Sequence, residues 1–383
     1  MKHMKQMDMS TEKKYSLINY NFKLVLFVIA AMIMGTITIC SVRPDFQTKQ
    51  LIGVGACVIG MIIVSLIDYN FICKYYMILY AGNILLLLLV LLVGSGGGDQ
   101  GVRRWFYISD SFTIQPSEFA KVIVIIYLAV YYEKNIKKLD NEWIFIKPII
   151  LVTIVASLVL IQPDMGTAFI IMVIAMLMFY AVPVNKKYRS IFNKIIIGGI
   201  IVVALVLITT GGSFLKDYQL ERFNFTKPCE RYQEKSGYQL CNSFIAFKNG
   251  GIKGQGLGAS TQKYLYLPES YTDFIFPIIV EEWGLIVGIA ILIAYMIVLY
   301  RIIKIARKAT TLRNSLICYG VFCYLLCHIM INLLGVMGVI PLTGVPLPFL
   351  SYGGSYAICL MTVLGLVQRV SIETNSVKEK QIR

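Results

Sequence analysis

The sequence predicts an all-α polytopic membrane protein of about ten transmembrane helices, with a long extracellular loop between spans seven and eight. Three observations predict it. The 383 residues are 57% hydrophobic and only 15% charged, where a soluble domain carries about 25% charge. Apolar runs such as 22–40 and 51–67 are long enough to cross a bilayer, which takes about 20 residues. The remaining charge collects between such runs, and the short segments at 134–147, 185–194 and 301–313 are basic.

The first span (19–42) follows a charged, Met-rich tail (1–18) that lacks a small-residue cleavage site, so it reads as a retained helix. The second (51–68) and third (75–93) are nearly uninterrupted apolar runs. The fourth (117–131) starts behind Gln115-Pro116-Ser117, with Pro116 suited to a first turn and Ser117 to a cap. The fifth (148–162) and sixth (166–182) meet at the sharp turn Gln162-Pro163-Asp164-Met165-Gly166-Thr167. The seventh (194–212) leads into the long segment 213–272, and the eighth (273–300) opens on Asp273. The ninth (315–339) and tenth (353–370) flank a stretch holding Pro341, Pro346, Pro348, Gly338, Gly344, Gly353 and Gly354 and no charge. A spanning helix cannot hold so many breakers. Irregular backbone at membrane depth persists only where protein or a wet cavity satisfies it. This stretch is therefore a shaped, neutral wall beside a cavity. The polar tail 371–383 follows, so the domain division is 1–18, 19–370 and 371–383.

Basic loops stay inside. That rule puts both termini in the cytoplasm, the three basic segments inside, and 94–116, the 162–167 turn, 213–272 and the proline-rich wall outside. It also explains the net charge of +15 without nucleic acid. Cys40, Cys57, Cys73, Cys318, Cys323, Cys327 and Cys359 lie in or beside spans and read as small apolar packers. Cys229 and Cys241 share the long outer loop, an oxidising setting, and are candidates for a disulfide. No metal-ligand cluster is visible, and His328, alone in its span, reads as a hydrogen-bonded core residue.

Ionisable groups within spans are costly and are functional candidates by default. Glu118 and Lys121 share a helix face at i and i+3. They are either a structural ion pair or the lining of a cavity that binds a polar substrate. Asp164 either caps the helix after its turn or faces a ligand. Asp273 sits where a helix N-terminus favours an anion, although Thr272 would cap equally well. Glu281 and Glu282 lie about 12 Å further along a helix rising 1.5 Å per residue. Two adjacent acids at that depth need neutralisation or a partner, expected from another span.

Four segments carry a resemblance. They are Arg104-Trp105 through Gln115-Pro116-Ser117-Glu118-Phe119-Ala120-Lys121; then Gln162-Pro163-Asp164-Met165-Gly166-Thr167-Ala168; then Gly254-Gln255-Gly256-Leu257-Gly258, Gln262-Lys263, Leu267-Pro268-Glu269, Thr272-Asp273-Phe274-Ile275-Phe276 and Glu281-Glu282-Trp283-Gly284; and finally 341–355. Together they resemble the SEDS family of bacterial envelope proteins (shape, elongation, division and sporulation), in wording closer to FtsW than to RodA. Trp283 and Tyr356 depart from the usual pattern, and Cys229 and Cys241 look particular to this chain.

The resemblance implies a peptidoglycan glycosyltransferase of the bacterial cytoplasmic membrane. It would polymerise lipid II at the outer face, for cell division or cell-shape growth. Its partners would be a class B penicillin-binding protein transpeptidase and other divisome or elongasome membrane proteins. The acid matching Asp273 is the one tied to polymerisation. Inverting displacement of undecaprenyl pyrophosphate needs a base on the attacking hydroxyl and positive charge on the leaving group. Asp273 is the expected base. Lys263 and Arg104, with Arg222, are the expected pyrophosphate contacts, because a guanidinium fork suits phosphate. Glu118 and Lys121 would shape the cavity floor, with Asp164 and Ser351 also facing substrate. Glu281, Glu282, Pro346, Pro348, Gly353 and Gly354 are expected to be structural. A divalent cation, Mg or Mn, could help neutralise the pyrophosphate. Two rival readings are a lipid II flippase and a non-catalytic scaffold. The absence of an inverted repeat and the gathering of motifs on one face favour the enzyme.

Overall fold

The computed structural model describes residues 19–96, 103–109, 112–138, 142–210, 217–264 and 266–382. The expected N-terminal tail 1–18 lies outside them. Among the described residues thirteen α-helices follow one another: α1 Phe22–Val42, α2 Gln47–Leu66, α3 Tyr69–Lys74, α4 Tyr76–Val93, α5 Pro116–Asn135, α6 Glu142–Ile161, α7 Met165–Ala181, α8 Lys186–Thr210, α9 Asp217–Phe223, α10 Lys235–Gly250, α11 Ile275–Lys308, α12 Leu312–Val336 and α13 Gly354–Ile382. Eight of them (α1, α2, α4, α6, α8, α11, α12 and α13) are long and apolar enough to cross a membrane. The other two predicted spans fall on α5, which carries Glu118 and Lys121, and on the 17-residue α7. A short antiparallel hairpin, β1 Phe106–Ser109 with β2 Phe112–Ile114, lies between α4 and α5 and was not foreseen.

Helices α5 and α12 form the centre, and α12 packs against α5, α7, α11 and α13. The small residues inside these contacts let backbones approach. A Cβ on Gly320 of α12 would stand 2.7 Å from the Ile125 side chain of α5. Helices α2, α4 and α8 turn apolar side chains such as Ile52, Leu92 and Ile208 outward. In a bilayer those faces meet acyl chains.

Two expectations need correction. First, the eighth span is not one continuous helix. α11 begins at Ile275, breaks at Gly284 (φ 83°, ψ 171°) and runs on to Lys308. The cause is a tertiary collision. A Cβ on Gly284 would lie 2.3 Å from the Ile252 carbonyl oxygen, where the chain leaving α10 crosses the helix. That crossing segment repairs the break. Gln255 N donates to Glu281 O at 2.9 Å, Gly256 N to Glu282 O at 2.9 Å, and Leu285 N to Gly251 O at 2.9 Å.

Second, residues 371–382 are not a loose tail, because α13 continues through them with Ile372 and Thr374 buried. Arg369 holds this end through Glu373 at 3.3 Å, Asp68 at 3.6 Å and the Leu66 carbonyl at 3.2 Å. The start of α1 docks here too. Asn21 N donates to Gln368 Oε1 at 3.0 Å and Asn19 Nδ2 to Ser376 Oγ at 3.3 Å, so α1 starts at the end where α13 finishes. Within the long segment 213–272 expected between the seventh and eighth spans, the described residues 217–264 and 266–272 carry α9, α10 and the turns between them.

Gly284→Ala combines a left-handed backbone with a carbonyl collision. It is expected to cost at least about 2 kcal/mol, read as a lower melting temperature in detergent. Unchanged melting would contradict the broken helix.

Candidate functional site

The site begins at the turn that leads into α11. Glu269 adopts a left-handed φ of 57°, and its carbonyl accepts from Thr272 N at 3.1 Å and Phe274 N at 3.2 Å. The Thr272 hydroxyl donates to Glu269 Oε2 at 2.8 Å. This tight loop delivers Asp273 to the mouth of the helix without burying it fully.

The proline-rich wall docks on the same turn. Proline brings no N–H, so the wall cannot form a ladder of its own. Side chains do the joining. Ser351 Oγ donates to Thr272 O at 2.7 Å and accepts from Leu347 N at 2.8 Å. Tyr352 N donates to Tyr271 O at 2.9 Å. Asn332 of α12 uses both amide hydrogens, one on Asp273 O and one on Val345 O, each at 2.8 Å. One turn earlier on α12, His328 Nδ1 lies 3.3 Å from Pro346 O.

Gly344 is where the wall meets the chemistry. Its φ is +73°, and a Cβ there would stand 3.2 Å from Asp273 Oδ2 and 3.8 Å from Arg222 Nη1. A carboxylate and a guanidinium thus face the same bare backbone. Arg222 comes from α9, whose Glu221 carbonyl accepts from Ser236 Oγ of α10 at 3.1 Å. The Cys229–Cys241 disulfide, Cα–Cα 4.9 Å, ties α10 to the turn at Pro228–Arg231. Burial pushes the Asp273 carboxyl up to about 7. The Glu269 charge adds to the rise and Arg222 opposes it. A carboxyl balanced near neutrality is suited to proton transfer.

Other sequence candidates are placed differently. Glu118 and Lys121 form a 2.7 Å ion pair, but both are buried in the core and do not floor an open cavity. Lys121 Nζ also lies 3.0 Å from His328 Nε2. An ammonium only donates, so Nε2 accepts and Nδ1 carries the proton given to Pro346 O. The pair therefore supports the wall from beneath through His328. Lys263 is not brought to Asp273. Its ammonium is buried against Glu282 at 2.9 Å, Ser41 at 2.8 Å and the Gly258 carbonyl at 2.8 Å. Glu282 at the helix break would otherwise be an unpaired buried charge. Its ion-pair partner comes from the loop, and Ser41 of α1, another span, donates to the same carboxylate at 2.7 Å. Glu281 likewise accepts from loop and α10 groups, namely Asn249 at 2.9 Å, Thr261 at 3.1 Å, Gln262 N at 3.3 Å and Ser260.

Arg104 donates from Nε to Gln162 O at 2.8 Å and from Nη2 to Pro163 O, holding the outer turn. Asp164 caps α7 through Thr167 N at 3.1 Å and accepts from Gln115 Nε2 at 2.9 Å. Gln115 N in turn donates to Ser355 Oγ at 3.0 Å, beside Gly353 and Gly354. Among the described residues no group of three or more His, Cys, Asp or Glu gathers to hold a metal ion. Sequence reasoning missed Asn332. A polar side chain four positions after His328 in an apolar span was the available signal.

Removing one member of the buried pair strands the other. Lys121→Met is therefore expected to cost about 3–5 kcal/mol. The double change Glu118→Gln with Lys121→Met should cost clearly less than the single change. Thermal unfolding in detergent checks both, and a single variant as stable as the parent would refute the pairing.

The comparisons agree with this architecture. The family model described as the FtsW/RodA/SpoVE cell cycle protein matches residues 14–376. A probable peptidoglycan glycosyltransferase FtsW from Bacillus subtilis is 38% identical over 271 residues, 70% of this chain and 66% of that protein. The corresponding protein of Coxiella burnetii is 34% identical over 281 residues, 72% of this chain and 73% of its own. Stage V sporulation protein E of Bacillus subtilis is 34% identical over 328 residues, covering 85% of this chain and 87% of that one. Among solved structures, a chain of a peptidoglycan synthase complex, studied for its coordination of polymerization and crosslinking, superposes with a TM-score of 0.74. Its identity is 26%, with 93% of this chain and 98% of that chain covered. The rod shape determining protein RodA of Thermus thermophilus shares the fold, with a TM-score of 0.67, 24% identity and coverage of 92% and 96%. The chain belongs to the FtsW/RodA/SpoVE family.

Proposed function

We propose that this chain is a peptidoglycan glycosyltransferase that polymerises lipid II at the outer face of the bacterial cytoplasmic membrane. The carrying observation is that Asp273, at the mouth of α11, and Arg222 face the same bare Gly344 backbone, within 3.2 Å and 3.8 Å of where a Cβ there would stand. The relatives named as FtsW glycosyltransferases support the class of reaction.

In this reading the 4-hydroxyl of one lipid II attacks the anomeric carbon of another. Its proton passes to Asp273 as the new carbon–oxygen bond forms. The bond to the pyrophosphate oxygen breaks, and undecaprenyl pyrophosphate leaves with the electron pair. Pyrophosphate leaves readily, so the protein needs a base and positive charge more than a strong acid. A carboxyl raised toward neutrality by burial is suited to act as a general base. Arg222 supplies charge at the same place.

The lipid tail stays in hydrocarbon while the headgroup reaches a site built from outer turns and helix ends. A class B penicillin-binding protein is the partner that would cross-link the strands. The likeness to a chain of a synthase complex supports it. Both termini are assigned to the cytoplasm. The basic segments 134–147, 185–194 and 301–313 and the shared end of α1 and α13 support that orientation.

Asp273→Asn keeps the size and removes the base. It should polymerise lipid II at least about 100-fold more slowly while still binding it. A near-wild-type rate for the Asn variant would defeat the proposal. Lipid II crossing a liposome bilayer with no glycan strands formed would point to transport instead.

A further inference from the structure

Two cations expected on the pyrophosphate have other structural work. Lys263 is buried with Glu282, and Arg104 grips the carbonyls of Gln162 and Pro163. The reaction still needs positive charge near Asp273 beyond that of Arg222.

Arg43, at the outer end of α1, is placed to provide it. Its guanidinium carbon stands 4.9 Å from the ring centre of Phe46 and 5.5 Å from that of Tyr271. Phe46 stacks on Tyr352 at 5.2 Å and 25° and meets Tyr271 edge-on at 5.7 Å. Tyr271 and Tyr352 are 5.9 Å apart and joined by the Tyr352 N to Tyr271 O bond of 2.9 Å. The three rings are one platform, and its Tyr271 lies two residues before Asp273.

Arg43 is exposed. Among the described residues its guanidinium makes neither a hydrogen bond nor an ion pair. Stacking fixes the plane of a guanidinium and leaves its N–H edge available for a phosphate oxyanion. Lys49 places a second positive charge 5.7 Å from the Phe46 ring.

We propose that Arg43, presented on the Phe46–Tyr271–Tyr352 platform, binds the pyrophosphate of the lipid-linked substrate. The inference rests on the polymerase reading above and adds a binding residue to it. A phospholipid headgroup offers related phosphate chemistry. The substrate pyrophosphate is favoured because the platform is part of the turn that carries Asp273.

The test measures binding to the full-length Asp273→Asn protein in nanodiscs. The probes are lipid II, undecaprenyl pyrophosphate and undecaprenyl monophosphate. The discs are made of phosphatidylcholine alone or with phosphatidylglycerol. Arg43→Ala should weaken both pyrophosphate lipids about tenfold in either disc, with a smaller loss for the monophosphate. Arg43→Lys should recover part of the affinity, and Phe46→Leu should give an intermediate loss. Because Arg43 is exposed, melting temperatures should not move. Undiminished binding of undecaprenyl pyrophosphate by Arg43→Ala would overturn the proposal. So would a loss confined to discs with phosphatidylglycerol, which would mark a bulk headgroup contact. If Asp273→Asn still polymerises, the catalytic reading falls separately. Undecaprenyl pyrophosphate, which has no sugar to transfer, still decides Arg43.

Discussion

Four consecutive carbonyls in the proline-rich wall determine how the site is built. Proline rules out a continuous helix or ladder that would satisfy all of them locally. Unsatisfied carbonyls at membrane depth are expensive. Val345 O is taken by Asn332, Pro346 O by His328, Leu347 O by Ser351 N and Pro348 O by Tyr295. Three of the four partners come from α11 and α12 and one from the wall's own turn at Ser351, so the wall has one resting place. Asn332 bonds Asp273 O with the same amide that holds Val345. The position of the carboxyl is thereby coupled to the position of the wall.

Two buried ion pairs brace this arrangement. Lys121 with Glu118 supports His328, and through it Pro346. Lys263 with Glu282 closes the break in α11 against α1 and the loop after α10. A buried pair adds little net stability compared with an apolar substitute, but losing one partner is costly. Their role here is to fix one arrangement of several segments. The catalytic proposal asks only for a carboxyl, a cation and a surface shaped to a sugar pyrophosphate.

Much of the fold could be read from hydropathy, because a bilayer accepts few alternatives to apolar helices. All ten predicted spans fall on helices. The outer motifs do converge. Arg104 bonds the Gln162 and Pro163 carbonyls in the turn that carries Asp164, Gln115 bonds both Asp164 and Ser355, and Ser351 bonds the turn before Asp273. What escaped the sequence depended on contacts far apart in the chain. Gly284 sits inside the predicted eighth span, which reads as uninterrupted helix, and only the crossing chain at Ile252 reveals the break. Lys263 looked like a free cation because its partner, Glu282, lies 19 residues on with no helical periodicity to link them. Arg43 drew no notice because its aromatic support comes from three separate segments. The buried face of residues 371–376 was hidden by polar composition.

The most direct test of the account is the pH dependence of lipid II polymerisation by the wild type and by Arg222→Gln. A base must be ionised, so activity should be low below its pKa and rise as pH passes through it. The wild-type limb should have its midpoint near 7, set by burial and Glu269 against Arg222. Since Arg222 lowers that value, its replacement by Gln should move the midpoint upward. A flat profile from about pH 6 to 8, or a limb that Arg222→Gln leaves in place, would contradict Asp273 as the base.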